Sequence, residues 1–264
     1  MHSFKTLALA LLALLWAAPA HAMTMTSLGK ASCDTPGNTC TVTATGTVAA
    51  GGTTMIIAAF NQNAPSSITA SDSAGNCSSA YTYQSAVIAS GSFGTLVVAY
   101  CPTTTAAITS GTTTFTIAFG GTAQPLIITA WSITGNSQAT FFDKKGTLVT
   151  GQWTSGTAVA GSRSGTLGWS SEDVISVIYG MATSSADTVG SYTGGYSSVA
   201  AYPGSSNRPG LWISKQTLTT GAATVGFTPT SAAARYYLSQ TFSFVNAGAT
   251  ATARPTRTLL GVGQ

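Results

Sequence analysis

The sequence predicts an all-β protein built from antiparallel strands. Short runs of β-branched and aromatic residues recur along the chain, and turn-forming Gly, Ser, Asn and Pro separate them. No window has the apolar periodicity of a useful amphipathic helix. Charged residues make up only 6% of the 264 residues, against roughly one quarter in an ordinary domain. Ser, Thr, Asn and Gly therefore supply most of the polarity.

Each predicted strand is a run of β-forming residues bounded by turn residues. In Thr113–Phe119 the aromatic and aliphatic side chains share one face and Thr and Ala the other, and Phe242 and Phe244 again share a face. This alternation is typical of a strand with one face in a core. The predicted strands are Cys40–Val48, Thr53–Phe60, Ala80–Ser85, Thr95–Cys101, Thr113–Phe119, Leu126–Thr134, Asp173–Met181, Leu211–Thr217, Ala222–Thr228 and Arg235–Val245.

The two halves of the chain resemble each other at a spacing of about 112 to 120 residues. No Pro-rich or charged linker separates them. We therefore predict a single large jelly roll, or β-sandwich, with related halves over residues 40–246; two tandem β-sandwich domains are the alternative. Residues 23–39 would precede it, and residues 247–264 would form a tail. The related segments are 52–60 with 172–179, 94–101 with 209–215, 112–119 with 222–227, and 126–133 with 237–245.

Residues 1–22 have the pattern of a secretory signal peptide. Lys5 precedes the apolar run Leu7–Trp16, and Ala20-His21-Ala22 is the small-x-small pattern that signal peptidase cleaves. No later apolar run approaches the roughly 18–20 residues of a spanning helix, so we predict no membrane span in the mature chain. The predicted location is extracellular or at the cell surface, with the periplasm as an alternative.

The distribution of histidine argues against most enzyme mechanisms. Both histidines, His2 and His21, lie in the predicted leader, so the mature chain would have no Ser-His-Asp triad, Cys-His pair or His metal ligand. The adjacent residues Ser214 and Lys215 would face opposite ways on a strand. We therefore predict a non-enzymatic protein.

The remaining enzymatic alternative is a glycan-cleaving enzyme that uses two carboxylates. Glu172 and Asp173 are adjacent and would point to opposite faces of a strand, so they cannot flank one glycosidic bond. A partner for either would have to come from Asp143 or Asp187.

The four cysteines are even in number, which suggests two disulfides in an exported chain. Three pairings are open. We favour Cys33–Cys40, because the intervening Asp-Thr-Pro-Gly-Asn-Thr is rich in turn residues, and this leaves Cys77–Cys101. No Cys-x-x-Cys spacing favours zinc.

The segment Asp72-Ser73-Ala74-Gly75-Asn76 has two interpretations. Asp72 and Asn76 carry oxygen donors that could hold calcium, but a single carboxylate favours a turn. This turn, followed by the aromatic strand Tyr81-Thr82-Tyr83, resembles a pattern in secreted bacterial β-sandwich proteins of the concanavalin-like jelly-roll type. The resemblance extends over residues 40–246 and implies the fold more than a function.

The candidate ligand site is the Gly- and Ser-rich segment 190–210, which we predict to be a loop. Aromatic faces with amide and guanidinium donors are common in sugar recognition. The basic residues are scattered along the sequence, so we predict no basic stripe that could bind the phosphates of a nucleic acid. The predicted function is therefore binding of a glycan or cell-surface component; the alternative is a self-assembling extracellular or virion-like structural protein, because uncharged strand edges favour self-association. The candidate residues are Tyr192, Tyr196, Tyr202, Asn207 and Arg208.

Overall fold

The computed structural model describes residues 21–61, 65–88, 94–181, 187–204, 209–219, 221–230 and 234–252. These residues form antiparallel β-strands and a 3-10 turn at Asn76–Ser79, which confirms the all-β prediction. The strands are β1 (Thr24–Gly37), β2 (Thr39–Thr43), β3 (Thr53–Phe60), β4 (Ile68–Asp72), β5 (Thr82–Ile88), β6 (Gly94–Cys101), β7 (Thr114–Phe119), β8 (Gln124–Thr134), β9 (Phe142–Lys145), β10 (Val149–Trp153), β11 (Val159–Arg163), β12 (Glu172–Gly180), β13 (Thr188–Thr193), β14 (Ser197–Tyr202), β15 (Gly210–Leu218), β16 (Thr224–Thr230) and β17 (Arg235–Val245).

Within the described residues the strands form four sheets, two in each half of the chain. The inner N-terminal sheet has the order β1-β8-β3-β6-β5, and the outer N-terminal sheet has the order β2-β7-β4. The inner C-terminal sheet has the order β10-β17-β12-β15-β14, with β9 also paired to β17, and the outer C-terminal sheet has the order β11-β16-β13. Counted from β10, the second half repeats the order of the first, strand for strand. Each half is compatible with a jelly roll.

The topology confirms the internal repeat predicted from the sequence. Strand β3 occupies the same place in the first half as β12 in the second, and the same holds for β6 with β15, β7 with β16 and β8 with β17. These are the four pairs of segments that resemble each other in sequence. Each half closes a two-sheet sandwich of its own.

Strand β3 shows why some strands are apolar throughout. Ile56 and Phe60 pack toward the outer N-terminal sheet, whereas Met55 and Ile57 pack toward the second half. All eight residues of β3 are buried, because this strand is covered on both faces. Strand β12 is buried in the same way over its nine residues. The two inner sheets are therefore the central layers of a four-layered molecule.

The inner sheets pack face to face and join the two sandwiches through one continuous core. Strand β3 lies against β15, β6 against β12, and β5 against β17, so the two halves are related by an approximate local two-fold axis. The shared core includes Ile57 and Val98 from the first half and Val177 and Leu211 from the second. Beyond it, the described part of the chain has further apolar clusters between each inner sheet and its outer sheet.

Both predicted disulfides are formed. Cys33–Cys40 joins β1 to β2, with the Cα atoms 5.9 Å apart. Cys77–Cys101 joins the 3-10 turn to the last residue of β6, with a Cα separation of 5.8 Å. Both bonds lie in the first half of the chain. No helix in the described ranges has the length and apolar character needed to cross a membrane.

The N-terminal boundary of the sandwich lies earlier than the sequence predicts. Residues 23–39, which we placed ahead of the sandwich, contain β1, the edge strand that pairs with β8. The exposure pattern of β1 explains why the predicted boundary is too late. Leu28 is the one fully buried side chain within β1, and Gly29 interrupts the pairing register with β8. An edge strand with so little apolar content has a weak alternation signal.

Candidate functional site

The predicted loop over residues 190–210 is wrong, since most of this segment forms strands. Strand β13 pairs with β16 in the outer C-terminal sheet, and β14 pairs with β15 in the inner one. Gly194 and Gly195, with φ of 72° and 83°, form the turn between them. Positive φ at both positions is the conformation that favours glycine. The Gly-Gly pair flanked by strand-forming residues is the sequence signal that predicts this turn.

The tyrosines of this segment do not form a shared surface. Tyr196 is buried with Val174 and Val225, and Tyr192 packs beside it between the C-terminal sheets. Burial raises the pKa of both phenols, and neither hydroxyl has a hydrogen-bond partner among the described residues. Tyr196 therefore belongs to the core of the second sandwich, and Tyr192 is partly buried against it, so the two rings do not form an exposed pair of faces for a sugar.

Tyr202 lies elsewhere, at the end of β14. Its ring packs against the core between the inner sheets, and Lys30 Nζ lies 4.8 Å from the ring centroid. Burial raises the pKa of Tyr202, and a hydrogen bond with Ser27 opposes that shift. This cation–π contact joins β1 of the first half to β14 of the second. The other two candidates, Asn207 and Arg208, lie outside the described residues.

The turn at Asp72 uses its oxygen atoms within the protein. Asp72 Oδ1 accepts hydrogen bonds from the backbone N–H of Ala74 at 2.8 Å and from the side-chain amide of Asn76 at 3.2 Å. Asp72 Oδ2 accepts from the Tyr81 hydroxyl at 2.6 Å, and Asn76 Oδ1 accepts from the backbone N–H of Ala106 at 2.8 Å. Both side chains are buried. The contacts with Ala74 and within Asp72–Asn76 are those of a turn, and the other two anchor that turn to Tyr81 and Ala106.

The contacts of Asp72 and Asn76 agree with the turn that the sequence favours, and they disfavour the alternative of a calcium site. A calcium ion takes six to eight oxygen ligands, and here the carboxylate and amide oxygens already accept from protein donors. In the described ranges, no group of three or more His, Cys, Asp or Glu side chains could hold a metal ion.

The carboxylates at the start of β12 face different surroundings, as their adjacency predicts. Glu172 accepts from the backbone N–H groups of Gly168 and Trp169 at 2.9 and 3.0 Å. Asp173 is on the other face, where Lys215 Nζ lies 3.0 Å from its Oδ1 atom. Both are fully buried. Burial, followed by the charge of Asp143, raises the pKa of Glu172.

Of the two carboxylates expected as possible partners, Asp143 lies near Glu172. Asp187 instead forms an ion pair with Arg235, with 3.1 Å between Asp187 Oδ2 and Arg235 Nε. Asp143 shares the N–H of Gly168 with Glu172 and forms an ion pair with Lys144 at 3.0 Å. The carboxylate pair lies beneath the segment that leads into β12, and Glu172 is fully buried. A substrate therefore has no access to Glu172 in this arrangement.

A cleft of about 470 Å³ opens where the two halves of the chain meet. One wall is the connection from β8 to β9, and the others are the start of β3 and the residues that follow β17. Clefts at such junctions are common ligand sites. The lining carries hydroxyl, amide and backbone groups and no charged side chain; it consists of Gly52, Thr53, Ile133, Thr134, Gly135, Asn136, Ser137, Gln138, Ala139, Ala247 and Gly248.

Hydrogen bonds hold the walls of this cleft in place. Asn136 Nδ2 donates to Thr53 Oγ1 at 3.0 Å, and the Thr53 hydroxyl donates to the carbonyl of Pro102 at 2.7 Å. The Gln138 side-chain amide donates to the carbonyl of Gly51. Gln138 and Thr134 are exposed to solvent. The cleft is thus an uncharged depression that combines apolar surface with hydroxyl, amide and backbone groups.

The sequence does not predict this cleft. Its residues come from three separate places in the chain, and only the run Thr134-Gly135-Asn136-Ser137-Gln138 carries a local signal, that of a polar turn. Comparison of the chain with known protein families and with curated proteins finds no match.

Proposed function

We propose that this chain is an exported, non-enzymatic protein that binds a neutral, hydroxyl-rich ligand, a glycan of a cell surface or matrix, in the cleft between its two halves. The observation that carries the proposal is the composition of the cleft, where polar groups converge without any charge. Such a lining can pair with sugar hydroxyls, and it has no charged side chain to neutralise a phosphate, a carboxylate or a metal ion.

The absence of a catalytic set among the described side chains supports a binding role. Once residues 1–22 are removed, the chain has no histidine. The buried aspartates are engaged in a turn or in ion pairs, and Glu172 is enclosed and accepts from two backbone N–H groups. Hydrolysis of a glycosidic bond needs two carboxyl groups that face one substrate. Export is supported by the sequence of residues 1–22 and by the two disulfides.

The proposal is compatible with the concanavalin-like jelly-roll type that residues 40–246 resemble. That fold type carries many functions, so the resemblance bears on the scaffold and the cleft bears on the ligand. The proposed ligand site differs from the one predicted from the sequence, since Tyr196 is in the core and Tyr192 is partly buried against it.

The test is binding of the purified, oxidised mature chain to immobilised polysaccharides. The panel contains neutral dextran, mannan and xylan, and the acidic polymers alginate and heparin. We expect saturable binding to a neutral polymer that is about tenfold weaker in the double variant Thr134→Val/Gln138→Ala, because both side chains line the cleft. A chelator should leave this binding unchanged.

A matched control separates the cleft from the rest of the surface. Thr150→Val/Gln152→Ala makes the same two changes at exposed positions of β10 and should bind like the wild type. Equal loss in both double variants, or binding to the acidic polymers alone, would contradict the proposal.

A second candidate function is self-assembly, and the edge strand β5 favours it. Strand β5 pairs with β6 over seven residues without a register shift, and it contains no charged residue, proline or glycine. Its counterpart in the second half, β14, has a register shift between Ser198 and Ala200. Bulges and charges protect strand edges, so β5 is the less protected of the two. A second copy of β5 would extend the sheet across a two-fold axis.

Light scattering across a range of protein concentrations tests this second function. Tyr83→Lys places a charge on β5, and Tyr236→Lys places one on β17, which is paired on both sides. Both tyrosines are 42% exposed, so the two changes are matched. If β5 mediates assembly, only Tyr83→Lys will lower the mass at high concentration. A monomer at every concentration excludes this function.

A further inference from the structure

The backbone nitrogen of Met23 is bound by a carboxylate from the other half of the chain. Met23 N donates to Asp173 Oδ2 at 2.6 Å in a buried hydrogen bond that spans 150 residues. Asp173 is the second residue of β12 and is fully buried. Its other oxygen, Oδ1, accepts from the Thr217 hydroxyl at 2.7 Å and lies 3.0 Å from Lys215 Nζ.

Both the side chain and the carbonyl of Met23 are fixed as well. The side chain is 1% exposed and belongs to the core between the inner sheets. The carbonyl oxygen accepts a hydrogen bond from Lys215 Nζ. The residues before it, His21 and Ala22, are exposed. Met23 is therefore the first buried residue in the described part of the chain.

Met23 is also the first residue after the predicted signal-peptidase site. The small-x-small triplet Ala20-His21-Ala22 ends where the buried chain begins. Two independent observations, one from the sequence and one from the packing, thus single out the bond between Ala22 and Met23.

We propose that cleavage of this bond creates the ligand for a built-in ammonium site, in which Asp173 binds the new α-amino group of Met23. Water cleaves the amide: the Ala22 carbonyl gains the hydroxyl, and the Met23 nitrogen gains hydrogen and is protonated at neutral pH. The hydrogen bond to Asp173 then becomes an ion pair between the two halves. This inference depends on the export included in the proposed function and is independent of any glycan.

The surroundings of Asp173 suit two cations. A carboxylate has about four acceptor positions on two oxygens, and here Oδ2 faces Met23 while Oδ1 faces Lys215 and Thr217. A hydrogen bond between two charged groups is about twice as strong as one between neutral groups. The α-ammonium group of the cleaved chain therefore binds Asp173 more strongly than the amide N–H of the uncleaved chain does.

The order of events follows from burial. Met23 is enclosed in the folded molecule, so a peptidase has access to the bond only while the chain is still unfolded. Cleavage therefore precedes folding, and folding then brings the new terminus to β12. The ion pair between Met23 and the second sandwich therefore forms only after cleavage, whereas the uncleaved chain makes the same contact through its amide N–H.

The first measurement is the N-terminus of the full chain expressed with its leader in an exporting bacterial host. Intact mass and N-terminal sequencing should show a chain that begins at Met23. A chain that keeps its leader would contradict export, and a chain cleaved at another bond would overturn the ammonium site. Neither result depends on the polysaccharide panel, so the two proposals can fail separately.

The second measurement is the reactivity of the α-amino group toward an acylating reagent, followed by mass spectrometry. In the folded wild type we expect acylation about tenfold slower than in Asp173→Asn, the factor that a charged hydrogen bond supplies. Lys144 is partly exposed and serves as the internal reference for reagent activity.

Asp187→Asn is the matched control for loss of a buried ion pair. The Asp187–Arg235 pair has the same exposure as Asp173–Lys215, with 20% for the cation and 0% for the carboxylate. The Met23 amine should stay protected in this variant. If Asp173→Asn does not fold, the wild type is compared before and after unfolding in urea. An amine that reacts equally fast in both states would overturn the proposal.

Discussion

Glu172 and Asp143 accept hydrogen bonds from the same backbone N–H, that of Gly168, at 2.9 and 3.3 Å. Glu172 is fully buried. Burial raises the pKa of Glu172, and the negative charge of Asp143 raises it further. A charge at Glu172 therefore opposes folding.

This arrangement predicts how Glu172→Gln changes stability with pH. The pKa of Glu172 in the folded state lies above its ordinary value of 4.5, so its favourable contribution is complete below that pH and is lost as the pH rises through the folded-state pKa. The glutamine keeps an acceptor for Gly168 and removes the charge. We expect urea midpoints that agree at about pH 4 and a higher midpoint for the variant at about pH 7.

Asp187→Asn is the control for this titration. It removes a carboxylate that is paired with Arg235, and so should lower the urea midpoint at neutral pH. A wild type that is more stable than Glu172→Gln at neutral pH would show that the charge at Glu172 stabilises the fold, contrary to the prediction.

The strands that the sequence predicts best are those covered on one or both faces. Thr53–Phe60 is predicted and observed with identical bounds, because an unbroken apolar run in a chain this polar has to be buried. Both disulfides follow from turn residues and elimination. The repeated strand order is predicted by similar runs at a nearly constant spacing. Because that spacing is a property of the whole chain, an error in one predicted strand does not remove the signal.

The predictions that failed concern segments in which small polar residues carry strands. Residues 190–210 look like a loop because Gly, Ser and Tyr dominate them, yet their backbones pair with β15 and β16. A tyrosine has an apolar body and a polar tip, so its position in a strand does not say whether it lies in a core or on a surface. The cleft is assembled from distant segments and has no local signature.

The two disulfides should contribute unequally to stability. Cys77–Cys101 spans 24 residues, and Cys33–Cys40 spans 7. Loop-closure entropy then gives about 3 kcal/mol for the longer loop and about 2 kcal/mol for the shorter one. We expect Cys77→Ala/Cys101→Ala to lower the free energy of unfolding more than Cys33→Ala/Cys40→Ala in urea titrations. The reverse order would contradict the entropic account.

Two buried tyrosines should respond in opposite ways to loss of the hydroxyl. The Tyr81 hydroxyl donates to Asp72 Oδ2 at 2.6 Å and contacts the Thr54 hydroxyl at 2.7 Å, whereas the Tyr196 hydroxyl has no partner among the described residues. We expect Tyr81→Phe to cost about 1–3 kcal/mol, because it leaves a buried acceptor on Asp72 and a buried donor on Thr54 unpaired. Tyr196→Phe should be neutral or stabilising. Equal losses in thermal and urea unfolding would contradict this assignment.

The shared central core predicts that the two sandwiches unfold together. Leu211 of β15 is fully buried among residues from both halves, including Ile57 and Val98. Leu211→Ala should cost about 2–5 kcal/mol through lost burial and the cavity it leaves. Because that core is continuous, the loss should reach amides of β6 and β7 in the first half as well as those of β16. Hydrogen exchange followed by mass spectrometry resolves these strands, and Phe227→Ala, in the cluster between the C-terminal sheets, is the comparison. Exchange that accelerates only in the second half for Leu211→Ala would mean that each sandwich unfolds as an independent unit.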